Sequence, residues 1–244
     1  MNDTTVKTYS RAAGIFLILT IFAGWFGEMY VPSFIMTGDA ATTATQLKLH
    51  ESLFRLGFIA YLIEALSDVV LAWLFFVLLR PVHRDLALLS AFFGLVSMSI
   101  FAVAQMFYFS APMFLRGSKY LAAFSPDQLQ ALANLFLSLY ASLSGLFTLF
   151  YGTAWIIRGC LTFRSGYLPR FLGALMVFAG LGFVAKNITQ VLTPAYSSDA
   201  LLAPMFLNAV ATAIWMLARG VDGDRWNRAI AAVRFPPVAN TTMK

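Results

Sequence analysis

Two acids four residues apart, Glu64 and Asp68, stand in the middle of GFIAYLIEALSDVVLAWLFFVLL, residues Gly57 to Leu79, a stretch long and apolar enough to cross a bilayer. From Leu56 to Leu79 there are fifteen Leu, Ile, Phe or Val residues. Each favours insertion by roughly 0.3 to 0.6 kcal/mol while each central acid opposes it by roughly 2.5 to 3.5 kcal/mol, so the two sums nearly cancel. Such a helix cannot leave both acids against lipid; they must face protein or a wet cavity. The i, i+4 spacing puts them on one face together with Tyr61, which adds a hydroxyl and an aromatic wall.

A paired carboxylate can supply charge or protons, or serve as acid and base. A lysine at membrane depth, Lys186, suggests an ion pair with Glu64 or Asp68, since each charge alone is expensive there. Pairing one acid leaves the other within a turn of a like charge, needing a proton, water or ligand. Glu28, Gln105, Asn134, Asn187 and Gln190 add further polar groups in the same half of the membrane. Together with Glu64, Asp68, Tyr61 and Lys186 they form the expected ligand-binding set. No catalytic residue is assigned and no metal or cofactor is expected. Cys160 is the one cysteine, and His50 and His83 fall on opposite membrane faces. The sequence contains no metalloprotease helix, phosphate-binding loop, dinucleotide fingerprint or nucleophile elbow.

The elements that position these groups follow from composition. Sixty per cent hydrophobic and eleven per cent charged residues over 244 positions describe an all-α polytopic membrane bundle with one membrane domain. Residues 1–11 form a polar leader, 12–218 the transmembrane domain and 219–244 a polar tail. Six helices are expected, at about Ala12–Val31, Gly57–Leu79, Leu86–Met113, Leu129–Ile157, Phe171–Leu192 and Ala200–Ala218. Pro32 and Arg80-Pro81 end the first two. Asp39 is a candidate N-cap for a short helix before the second span, and Glu51 and Arg55 are spaced to pair. Ser125-Pro126-Asp127-Gln128 carries a capping box with proline at the first helical position. The turn Arg158–Arg170 is basic. Ser90 and Gly94 on helix three, and Ala209 and Ala213 on helix six, have the small-residue spacing that lets helices approach. After Arg219, the spacing of Trp226, Ile230 and Val233 predicts an interfacial amphipathic helix, ended by Pro236-Pro237.

Twelve Lys and Arg residues fall in the leader, the turns after helices two and four, and the tail. Four, Lys48, Arg55, Arg116 and Lys119, fall in the opposite segments. The positive-inside rule therefore places both termini in the cytoplasm, and the net charge of +6 is read as orientation rather than nucleic-acid binding.

The segments GDAATTATQL, ESLFRLGF, LSDVVLAWLFFVLLRPVHRDLALLSAFF, YLAAFSPDQLQALANLFLSLY and FRSGYLPRFLGALMVFAGLGF resemble the bacterial membrane family known as domain of unknown function 4386. The resemblance runs from about Arg11 to Gly220 and is most specific at Phe-Arg-Ser-Gly-Tyr-Leu-Pro-Arg. It implies a multispan inner-membrane protein and no particular activity. Family members often carry Arg where this chain has Gly94, and His where it has Tyr140 and Ala154. Proton or metal chemistry resting on those groups is lost here.

The leading expectation is an outward-facing polar intramembrane cavity that binds, and could transport, a small amphipathic molecule or lipid headgroup. The alternatives are an intramembrane enzyme using the Glu64 and Asp68 pair, and a regulatory or assembly subunit that joins another copy or another membrane protein through its small-residue faces.

Overall fold

A computed structural model describes residues 3–35, 40–115 and 121–234. Among these residues the chain is helical throughout its regular structure, with no strand. The expected positions Asp39, Arg116, Lys119, Pro236 and Pro237 lie outside the described residues.

Helix α1 (Asp3–Gly24) widens into a π-helical turn, Trp25–Tyr30, and continues as α2 (Val31–Ile35). These form one crossing of 32 residues, so Pro32 does not end the helix as expected. Proline lacks the N–H that an α-helix returns to its fourth preceding carbonyl, and its ring clashes with that carbonyl. The wide turn immediately before Pro32 absorbs the misfit and lets the chain run on.

After α3 (Ala40–Leu49) come α4 (Glu51–Leu79) and α5 (Arg84–Ser110), the latter drawn out by a 3-10 turn, Ala111–Leu115. His83 caps α5, its Nδ1 accepting from the Leu86 N–H at 3.3 Å. Arg55 and Glu51 pair at 2.7 Å, as their spacing predicts. Helix α6 (Pro126–Arg164) opens with the expected capping box: the Gln128 N–H donates to Ser125 Oγ at 3.3 Å and the Ser125 N–H to Gln128 Oε1 at 2.8 Å. This helix runs past the expected end at Ile157 to Arg164. Arg158 is therefore inside a helix, not in the basic turn assigned to it. The nearest breakers, Gly166 and Pro169, lie beyond Arg164, and only there does the backbone turn, with Gly166 at φ +71°.

Helix α7 (Arg170–Leu192) follows, then a 3-10 turn (Asp199–Leu202) leading into α8 (Ala203–Ala218), and last α9 (Gly223–Arg234). Six of these segments are long and apolar enough to cross a membrane, making the chain a multi-pass membrane protein. An even number of crossings puts the first and last described residues on one face, called here the termini face.

The six crossings form a closed ring in chain order: α1 packs on α4, α4 on α5, α5 on α6, α6 on α7, α7 on α8, and α8 back on α1. The seam between first and last crossings is tight. A Cβ added at Gly14 would lie 2.7 Å from Leu217 Cγ, and Ser10 Oγ donates to Met216 Sδ at 3.0 Å. Between α6 and α7 the backbones nearly touch, since a Cβ at Gly152 or Gly159 would lie 2.6 or 2.7 Å from the carbonyl oxygen of Gly180 or Gly173. Glycines at both sides of each crossing permit this approach.

The termini face is sealed at one carbonyl. Leu78 lies in the last turn of α4, where carbonyls lack helical partners. Its oxygen accepts from Tyr167 Oη at 2.7 Å and Trp226 Nε1 at 2.9 Å. Burial pushes the Tyr167 hydroxyl group's pKa up, keeping it a donor. Arg225 donates to the Gly166 carbonyl at 3.0 Å. Helix α9 forms where amphipathicity predicts it, but Trp226 is 1% exposed and docks on protein instead of lying in the membrane interface. A buried carbonyl that needs a donor explains the difference.

Candidate functional site: a polar column in the ring

Four helices project polar side chains into the ring's centre. Helix α4 contributes Tyr61, Glu64 and Asp68, all at most 8% exposed. Helix α6 contributes Tyr140, Tyr151 and Arg158, α5 contributes Ser90, Gln105 and Tyr108, and the π turn of the first crossing brings Glu28.

The termini-side end is built around Arg158, which is 2% exposed. Its Nε donates to Ser90 Oγ at 3.1 Å, and its guanidinium lies 5.2 Å from the ring centroids of both Phe75 and Trp155. Gly94 makes room for it: a Cβ there would lie 2.8 Å from Arg158 Nη2. The small pair Ser90 and Gly94 thus accommodates an arginine inside the chain, where the sequence suggested a helix-docking face. Asp68 interacts electrostatically with this guanidinium without forming a direct ion pair, and accepts from Tyr151 Oη at 3.2 Å. The buried cation is held by a hydroxyl, two aromatic faces and a nearby carboxylate.

One helical turn farther from the termini face, the balance reverses. Glu64 packs against the first crossing, its Oε1 2.9 Å from where a Gly24 Cβ would stand. Its Oε2 is buried and makes no hydrogen bond among the described residues. Glu28 is exposed, yet it interacts electrostatically with Glu64, Tyr61 and Tyr140. Tyr61 and Tyr140 share a hydroxyl–hydroxyl hydrogen bond of 3.1 Å. Tyr108 stands beside both, with ring centroids 5.6 Å from Tyr61 and 5.0 Å from Tyr140. Tyr108 Oη and both amide atoms of Gln105 are also buried without hydrogen bonds among the described residues. Buried polar groups are normally satisfied, so these atoms stand out, as does Trp155 Nε1 beside Arg158, which is also buried without a hydrogen bond among the described residues.

The expected site therefore divides. Glu28, Tyr61, Glu64, Asp68 and Gln105 come together. Lys186 does not join them: its Nζ pairs with Asp199 at 2.7 Å, which corrects the expected pair with Glu64 or Asp68. A flexible lysine late in α7 reaches the loop-borne carboxylate, whose side chain is 88% exposed, more readily than the ring's centre. Asn187 Nδ2 donates to the Gly145 carbonyl at 2.6 Å, and Gln190 Oε1 lies 3.4 Å from the position of a Gly145 Cβ, so both belong to the α6–α7 interface. Asn134 is half-buried and forms no hydrogen bond among the described residues. Asn208, fully buried, bonds locally to Thr212 at 3.3 Å.

Arg158, Tyr151, Tyr140, Tyr108 and Ser90 are the members that sequence reasoning missed. A signal for Arg158 existed: it lies eight residues before Gly166, where the backbone turns. Among the described residues no group of three or more His, Cys, Asp or Glu side chains could hold a metal ion.

No solved structure matches this chain. An uncharacterised protein of Archaeoglobus fulgidus is 26% identical over 155 residues, 63% of this chain and 76% of the relative. The family described as Domain of unknown function (DUF4386) matches residues 12–220, a span that contains the whole polar column, and this chain belongs to that family.

Proposed function

We propose that the column is a binding site, open to the face opposite the termini, for the cationic head of a small amphipathic molecule, and that the protein serves to bind and transport it across the bacterial inner membrane. The observation carrying this reading is the charge census of the ring. Asp68 and Arg158 balance each other, and Lys186 is occupied by Asp199. Glu28 and Glu64 have no cation beside them among the described residues. A cationic head supplies what these acids lack, and the faces of Tyr61, Tyr108 and Tyr140 suit an alkylated ammonium by cation–π attraction. The apolar body would lie among the aromatic side chains of α4, α5 and α6. Arg158 at the floor and the seal at Leu78 favour access from the far side. The distribution of basic residues supports reading the termini face as the cytoplasmic one.

The test is binding of water-soluble hexyl compounds to the protein in lipid nanodiscs, read by tryptophan fluorescence. Hexyltrimethylammonium and hexylammonium should bind saturably, hexanol and hexanoate should not, and Glu64→Gln should abolish the binding. Equal responses to all four, or an unchanged response in Glu64→Gln, would remove the site. Uptake of the bound cation into proteoliposomes separates transport from binding.

A further inference from the structure

A second feature lies far from the column, on the outer surface of the ring. Where α6 and α7 are drawn together at Gly159 and Gly173, the larger side chains beside the crossing splay apart and leave a trough of about 510 Å³. Cys160, Phe163 and Ala174 line its shallow end, and Val177, Phe178 and Leu181 its deep end. Its wall is almost wholly apolar except at the rim, where Arg164 in the last turn of α6 forms part of the lining. Arg170, the first residue of α7, stands next to it, with its guanidinium 5.8 Å from the Phe163 ring centroid. Neither arginine has an ion-pair partner among the described residues.

The depth of the trough is informative. From Arg170 to Leu181 the helix advances about 16 Å at 1.5 Å per residue. That is about half the roughly 30 Å hydrocarbon thickness, so the trough spans one leaflet with its cationic rim at headgroup level. An apolar channel of single-leaflet depth, open along its side and capped by two arginines, matches a tailed anion. Arg is the side chain best suited to phosphate, through parallel hydrogen bonds.

We propose that this trough binds an anionic glycerophospholipid of the termini-side leaflet, with one acyl chain along Ala174, Val177 and Leu181 and the phosphate on Arg164 and Arg170. The site is independent of the central column and needs no reading of it.

Cys160 provides the assay, because it is exposed and is the one cysteine in the chain. In detergent micelles, phosphatidylglycerol should slow alkylation of Cys160 by N-ethylmaleimide, whereas phosphatidylcholine at the same mole fraction should not. Replacing either arginine, by Arg164→Gln or Arg170→Gln, should raise the phosphatidylglycerol concentration for half-protection about fivefold, the effect of one basic residue near an anionic surface. Ala174→Phe, which fills the trough while keeping both arginines, should abolish protection. Equal protection by the two lipids would show an unselective lipid coat and overturn the proposal. Protection indifferent to all three substitutions would do the same. If the protein is dimeric in detergent without added lipid and Ala174→Phe makes it monomeric, the trough holds a helix of a second copy and the lipid site is refuted.

Discussion

The two ends of the central column are made from similar groups and treated oppositely. Near the termini face, Arg158 is enclosed by Ser90, Phe75 and Trp155, with Asp68 and Tyr151 above it. One turn away on α4, Glu64 is also buried and has no cation beside it among the described residues, and farther along the column Gln105 and Tyr108 keep unpaired atoms. Hydrogen bonding alone does not separate the two ends, since Trp155 Nε1 beside Arg158 is also buried without a partner among the described residues; charge does. One end carries its own counter-charge and the other does not, and the proposed cation site rests on that difference.

The largest effect should come from breaking the charge-balanced end. Arg158→Met leaves Asp68 without its cation and Ser90 without its donor, and should destabilise the protein by about 3 to 5 kcal/mol. Thermal unfolding in detergent measures this. The double variant Arg158→Met with Asp68→Asn should recover part of the loss, which identifies the uncompensated charge as the cause. Next in size is Gly159→Ala: its Cβ would meet the Gly173 carbonyl at 2.7 Å, and separating the two backbones should cost about 1 to 3 kcal/mol by the same measurement. Trp226→Phe removes one of two donors to the Leu78 carbonyl, leaves Tyr167 in place, and should cost about 1 kcal/mol. The smallest change in stability belongs to the other end. Glu64→Gln should leave the unfolding temperature unchanged or slightly raised while binding of hexyltrimethylammonium is lost. A large destabilisation by Glu64→Gln would mean that both ends are structural, and the contrast would collapse.

Much of the scaffold was legible because it depends on local rules. Runs of apolar residues set the six crossings, and the Ser125 capping box and the Glu51–Arg55 pair are settled within one helical turn. The burial of Glu64 and Asp68 was legible for a different reason, since hydrocarbon leaves acids few alternatives. What could not be read was partner choice across the ring. Lys186 seemed to require an intramembrane acid, but Asp199 is only thirteen residues away and reaches it from the loop. Arg158 was assigned to a turn because its charge was counted as a sign of orientation, although no breaker precedes Ser165. Pro32 illustrates the limit of reading proline as a stop: the π turn before it, which carries Glu28, emerges only once the first crossing is packed on α4.

The ring's seam has a consequence for biogenesis. Ser10 meets Met216 across 206 positions of sequence, so the circle cannot close until the ribosome has delivered the last crossing. Glu28, Glu64 and Asp68 also leave the ribosome well before Tyr151 and Arg158. Asp68 is therefore made before its counter-charge, and quality control should fall hardest on variants that delay the arrival of α6.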